Sequence, residues 1–444
     1  MASNPIVNMF KVKEIRDRLF FTLLILAVFR LGSVITVPGI DANVLLDYFD
    51  NLAAQGGNAF ASYMDFFVGG AFSNFSILML GVMPYISMQI IMQLAVIIFP
   101  SLKRISQEDG GQRKIAQYSR IGTIVVCLIQ AWGMSVYANS IPNCIVIENK
   151  VLFKILFMLT VTTGTMVTVW LGDQITARGI GNGVSMMIFA GIVARLPNAI
   201  VELAQQIGKN EIKAVFVVIV GIMFIALIAL VIYEEAGQRA IPVHYAKRVV
   251  GRKMYGGQST YIPFKVNPSN VIPLIFASSI LTLPLTIASS FAQGQNSARW
   301  LTSLSRFLTP NGVWYNILLV ILIIFFAYFY TQVTLNPTEI AKNIRENGGS
   351  IPGVRSDKTE EYLTKILNRL ILPGSLFLAF IAVVPTIVQQ LFGFPQSICQ
   401  LMGGTSLIIL IGVDLDTMSQ VEALLKMHHH EGLTKKGKIR SRNL

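Results

Sequence analysis

The chain has 444 residues, 53% of them hydrophobic and only 13% charged, where a soluble domain carries roughly 25% charged residues. A globular core of this length cannot bury so much apolar surface, so a set of soluble domains is excluded and most of the chain must face lipid or other membrane helices. Lysine and arginine outnumber aspartate and glutamate by 36 to 23, a formal net charge of +13, an excess that membrane proteins collect in cytoplasmic loops.

A helix crosses the hydrocarbon core with about 20 apolar residues. That length predicts ten spans, at about 19–37, 76–98, 117–138, 152–171, 183–203, 214–233, 271–291, 313–335, 370–391 and 399–417. The runs are continuous, whereas barrel strands would alternate over about ten residues. The first follows Lys11, Lys13, Arg16 and Arg18 as a signal peptide would. It continues into Thr36-Val37-Pro38-Gly39 without a small-residue cleavage site, so an uncleaved span is expected.

Between the first two spans lies Pro38 to Phe75. Its second half, Phe60 to Phe72, is aromatic, small and nearly uncharged, but too short and glycine-broken to span. Such a pattern fits a re-entrant piece, which survives at membrane depth only inside protein or a water-filled cavity. It fits equally an amphipathic helix lying at the interface.

Basic residues set the orientation. Six of the 36 fall on one side of the predicted spans (Lys150, Lys154, Lys209, Lys213, Arg299 and Arg306) and two, Arg30 and Arg195, within spans, where anchoring at the interface is expected. All the others lie on the side of the amino terminus, which places both termini in the cytoplasm. Two loops on that side, about 234–270 and 336–369, are longer than a connection needs. Each is basic and punctuated by glycine and proline, suited either to a solvated basic surface or to an anionic partner.

Ten spans divide into two sets of five, and an odd number per half forces opposite orientations. Val82-Met83-Pro84-Tyr85-Ile86 and Val271-Ile272-Pro273-Leu274-Ile275 form a weak echo, each in the second span of its half. Chemistry is sparse. There is no phosphate-binding glycine loop, no metalloprotease or nucleophile-elbow motif, and no pair of carboxylates within a span. His428, His429 and His430 read as a solvated tail, and the cysteines Cys127, Cys144 and Cys399 stand singly, without metal or disulfide spacing. Coupling residues for a small-solute transporter are lacking, since intramembrane charge is scarce. A receptor that merely anchors a cytosolic partner remains the other alternative.

Several motifs occur in order at matching span positions: Leu80-Gly81-Val82-Met83-Pro84-Tyr85-Ile86-Ser87, Gly179-Ile180-Gly181-Asn182-Gly183-Val184-Ser185 and Gly403-Gly404-Thr405-Ser406. The long loops add Tyr245-Ala246-Lys247-Arg248, Tyr255-Gly256-Gly257-Gln258-Ser259-Thr260-Tyr261, Asn336-Pro337 and Ile351-Pro352-Gly353-Val354-Arg355. Together they resemble the SecY family, the channel subunits of the general secretion translocon, over nearly the whole chain.

The resemblance implies an all-α polytopic membrane protein of ten transmembrane helices in two pseudo-symmetric, inverted five-helix halves with a re-entrant plug helix. The halves would be 1–205, with the plug at about 60–75, and 206–444, with both basic loops and a basic tail. The implied function is a protein-conducting channel that passes unfolded secretory chains and releases membrane helices sideways into lipid, driven by a partner motor or the ribosome. Matching motifs places the pore ring on Val82, Ile86, Ile188, Ile192, Ile275 and Ile409, and the plug on Phe66, Phe67, Val68, Gly69, Gly70 and Ala71. Docking would use Arg239, Lys247, Arg248, Arg252 and Arg355.

No catalytic residue, cofactor or metal is implied. The implied partners are the small membrane subunits SecE and SecG, the SecA ATPase and the ribosome, through ribosomal RNA and proteins near the exit tunnel. Signal peptides, nascent chains, anionic lipids, SecDF and a YidC-type insertase complete the set. The expected location is the bacterial cytoplasmic (inner) membrane.

Overall fold

The computed structural model describes residues 12–54, 65, 68–209, 214–245, 248–250, 253–255, 259–268, 271–292, 307, 312–394, 396–401 and 403–436. They fold as two compact units. One comprises Met1–Asn198, Ser290–Ser297 and Gly412–Leu444; the other comprises Ala199–Ser289 and Ala298–Ile411.

Among the described residues the first helix of this unit is α1 (Lys13–Gly32). The predicted span over 19–37 is too long at its end, because 33–37 leave the helix. Pro38 disfavours helical backbone at Val37. That stretch instead pairs with residues 75–77: Val37 N donates to the Phe75 carbonyl at 2.9 Å and Ile77 N to that of Ile35 at 2.9 Å. After α2 (Ala42–Ala54), residues 69–82 lead into α3 (Met83–Ile98) as irregular, mostly buried backbone. The predicted span at 76–98 is therefore helical only from Met83. Gly81, at φ +55°, turns the chain, and Pro84 opens the helix where a missing N–H is tolerated.

Pro100 then breaks the ladder, and α4 (Pro100–Gln107) leaves α3 at 106°. Next come α5 (Gly111–Ser140), α6 (Lys150–Arg178) and α7 (Gly183–Gly208). The side chain of Asn149 caps α6, accepting from Val151 N at 3.1 Å and Leu152 N at 3.3 Å. Helix α5 packs against α3 and α6, and α1 against α6.

The glycine motif between α6 and α7 has a packing reason. A Cβ on Gly183 would stand 1.8 Å from the Gly172 carbonyl oxygen, so the two helices meet backbone to backbone. Ile180 N donates to Thr22 Oγ1 at 3.1 Å, and Gly181 N to Gln420 Oε1 at 2.9 Å. The loop thereby ties the start of the chain to its end, where Ile15, Ile180 and Val421 share a small core.

The second unit contains α8 (Ala214–Ala236), α9 (Ile272–Ala292), α10 (Val313–Thr334), α11 (Pro337–Glu346), α12 (Thr359–Phe392) and α13 (Gln396–Leu401). Helix α14 (Gly404–Lys436) begins in this unit and enters the first at Gly412. Two predicted boundaries move. Helix α12 starts at Thr359 rather than 370, with Glu360 and Glu361 in its first turn, where acids suit a helix amino terminus. The predicted span at 399–417 is broken before Gly404, whose added Cβ would lie 2.2 Å from the carbonyl oxygen of Ile381 on α12.

The two long loops carry strands as well: β1 (Gln238–Tyr245), β2 (Arg248–Val250), β3 (Lys253–Tyr255), β4 (Ser259–Lys265) and β5 (Gly349–Ser350). Strand β1 is central in a β4-β1-β5 sheet, with Ile241 opposite Ile262 and His244 opposite both Ser259 and Ser350. Strands β2 and β3 form a separate hairpin. Ile241, Val243 and Phe264 pack with Ala341, Ile344, Ile351, Leu363 and Leu367.

The result is a helical polytopic membrane protein. Among the described residues six helical stretches are long and apolar enough to cross a membrane, seven if the bent α3–α4 pair is one span. In α8 only 17% of the most apolar stretch is buried, so its outward valines and isoleucines require lipid or another helix.

Candidate functional site

All six residues matched to a pore ring sit on described elements. Val82 is the cap residue of α3 and Ile86 lies one turn on, its N–H donating to the Val82 carbonyl at 3.1 Å. Ile188 and Ile192 are one turn apart on α7. All four are buried and belong to the first unit. Ile275 on α9 is half-buried and Ile409 on α14 is buried, both in the second unit.

Of the residues matched to a plug, Val68 to Ala71 are described, and Phe66 and Phe67 lie outside the described residues. Val68 and Ala71 are buried, and a Cβ on Gly81 would meet Val68 Cγ1 at 3.2 Å. Just beyond, Phe72 and Phe75 enter an aromatic core with Tyr137 and Phe157, Phe75 stacking on Tyr137 at 6.2 Å. Non-helical backbone over 69–82 is thus surrounded by protein, the condition for irregular chain at membrane depth.

Two arginines complete this environment. Arg30 on α1 donates from Nη1 to the Gly69 carbonyl at 2.7 Å. Arg195 on α7 forms an ion pair with Asp65 and donates from Nη2 to Ser73 Oγ at 3.4 Å. Interfacial anchoring was the expectation from sequence; instead, both guanidinium groups hold the segment between them. Their one sequence signal was positive charge inside an apolar run.

Of the proposed docking residues, Arg239 is exposed on β1, and Arg355 is exposed at the start of a short 3₁₀ turn, Ser356–Lys358. Pairing of β1 with β5 brings their two loops into one folded module. Arg248 opens β2, while Lys247 and Arg252 lie outside the described residues. In the first unit, the connection between α5 and α6 holds Cys144. Burial pushes its thiol up to about 11, and the charge of Asp41 adds to the shift.

A sequence model of the SecY family matches residues 76–418. Protein translocase subunit SecY of Borreliella burgdorferi is 45% identical over 424 residues, covering 95% of each chain. Among solved structures, a protein-conducting channel shares the fold with a TM-score of 0.59 at 18% identity, covering 91% of each chain. Sec61 in the canine ribosome–channel complex from the endoplasmic reticulum gives 0.54 at 17%, again over 91% of each chain.

Proposed function

Since the chain belongs to the SecY family, we propose that it is the protein-conducting channel subunit of a translocase, passing unfolded chains across the membrane and releasing apolar helices sideways into lipid. The observation that carries this is full-length likeness to translocase subunits, joined to a buried, non-spanning segment that runs into Val82 and packs on α7 at Gly191, between Ile188 and Ile192 in sequence. The family is one of channels, with no catalytic step for the chain to perform.

Six apolar side chains suit such a task. A hydrogen-bonding filter would trap some passing sequences, whereas flexible apolar walls bind none tightly and resist ion flow by dewetting. A signal segment leaves sideways because lipid solvates it better than an aqueous pore does. In this reading Val82, Ile86, Ile188, Ile192, Ile275 and Ile409 form one ring between two inverted five-helix halves, 1–205 and 206–444, of ten spans in all. Residues 66–71 belong to the plug.

The driving force comes from partners, SecA or a translating ribosome, docking on the module that carries Arg239, Arg248 and Arg355, with Lys247 and Arg252 beside it. The likeness to a ribosome-bound Sec61 channel supports that surface by analogy of fold. SecE and SecG would flank the spans, with SecDF and a YidC-type insertase as further partners. Anionic lipids would meet the basic face of the bacterial cytoplasmic membrane, on the side of both termini.

The test is reconstitution with SecE, SecG and SecA in vesicles, assaying ATP-dependent protection of a secretory precursor from protease. Single cysteines at Ile86 or Ile275, without Cys127, Cys144 and Cys399, should cross-link to a cysteine in the arrested precursor. Protection without cross-links would move the ring; no protection, where a working translocon protects, would overturn the channel reading.

A further inference from the structure

Asp65 folds the start of the plug onto itself. Its carboxylate accepts from Ser73 N at 2.8 Å, its carbonyl from Gly70 N at 3.0 Å, and Ser73 Oγ donates back to the Gly70 carbonyl at 3.1 Å. Among the described residues, the Asp65 carboxylate and the Gly69 carbonyl meet neighbouring helices. Arg195 takes the first and Arg30 the second.

Backbone packing sets the distance. A Cβ on Gly69 would stand 2.7 Å from both Cα and O of Gly191, and one on Gly70 3.5 Å from the Arg195 guanidinium carbon. Both glycines hold positive φ, +68° and +94°, so no ordinary residue replaces them without strain. Ile188, Gly191, Ile192 and Arg195 recur at helical spacing and share one stripe of α7.

We propose that Arg195 and Arg30 are a two-point latch that holds the plug shut, and that α7 couples this latch to the ring because one stripe carries both. The inference rests on the reading of residues 65–73 as part of a plug. A displacement of α7 that moves Ile188 and Ile192 outward also withdraws Arg195 from Asp65 and Gly191 from Gly69. Ring dilation and plug release are then one motion. The ionic arm is well suited to an all-or-none release. Its side chains are only 25% and 11% exposed, and separating a poorly hydrated pair leaves each charge uncompensated unless both reach water together. Arg30 supplies the second arm, from α1, a single hydrogen bond to a neutral carbonyl that yields once the ionic arm has parted.

The experiment uses the full chain, assembled with its small membrane subunits in vesicles, and reads resting anion leak by quenching of an entrapped halide-sensitive dye. Asp65→Asn, Arg195→Gln and Arg30→Gln should each raise the leak roughly tenfold or more, as expected when a closed state loses its differential stabilisation. Precursor protection should persist in all three. The double variant Asp65→Asn with Arg195→Gln should leak no more than about threefold above either single one, since both remove the same pair, whereas independent structural defects would add. Asp65→Asn changes a single atom type, so it keeps the test meaningful if an arginine variant assembles poorly. A resting leak unchanged by Asp65→Asn, or a double variant in which the two single effects add in full, would overturn the latch. Loss of precursor protection in the unaltered protein would instead overturn the channel reading.

Discussion

A Cβ built on Gly164 would lie 2.0 Å from the carbonyl oxygen of Ile77, so α6 meets the irregular 69–82 segment through bare backbone. Close packing of this kind leaves no room for even a methyl group without moving one partner. Cys144 is equally enclosed, and its chemistry follows. With a folded-state value near 11, the thiol stays protonated at pH values where an unfolded one, at about 8.5, already ionises. In a variant keeping Cys144 alone, a soluble maleimide should therefore fail to react with the folded protein at pH 8 and react fully once it is denatured. The sign for stability is negative on the alkaline side. The unfolded chain releases its proton first as pH rises through 8.5 to 11, so this group lowers stability across that window and has no effect below it. A melting temperature that falls no faster with Cys144 than with Cys144→Ala across that range would refute the assignment.

At the scale of elements, the sheet is what turns two basic loops into a surface. Val243 is fully buried on the inward side of β1, with Ile241 two residues earlier on the same face. Val243→Asp should cost about 3–5 kcal/mol by placing an unpaired charge in that core. The damage should stay local: protease should cut within residues 246–258, partner binding should fall, and the apolar helices should remain folded. Exposed Arg239 and Arg355 behave oppositely under substitution, since a surface change of this kind alters stability by no more than about 0.5 kcal/mol. Much of the helical framework was legible in the sequence, because apolar length and glycine or proline punctuation act locally. Helix α7 matches its predicted start at Gly183 to the residue. The module was not legible: β1 pairs with β5 across a hundred residues of chain, and short, basic, proline-bearing strands carry little periodicity of their own. The loss of 33–37 and 76–82 from their predicted helices has the same origin, since those stretches pair with each other rather than following their hydropathy.

For the whole molecule, charge distribution makes a prediction about sidedness. In intact cells a membrane-impermeant maleimide should label Lys209→Cys from outside, whereas Arg239→Cys should react only after the membrane is opened. The reverse pattern would invert the orientation argued from the basic residues. Membrane residence, a predominantly helical fold and family were determined by the sequence alone. They depend on the length of apolar runs, the placement of lysine and arginine, and a set of motifs in fixed order. Only the tertiary structure decided what Arg30 and Arg195 do, why Gly69, Gly183 and Gly404 must lack side chains, and how two distant loops become one module. Hydrophobicity is additive along a chain and can be read from it. An ion pair such as Arg195 with Asp65, or a contact of backbone with backbone, joins residues whose separation in sequence says nothing of their distance in space.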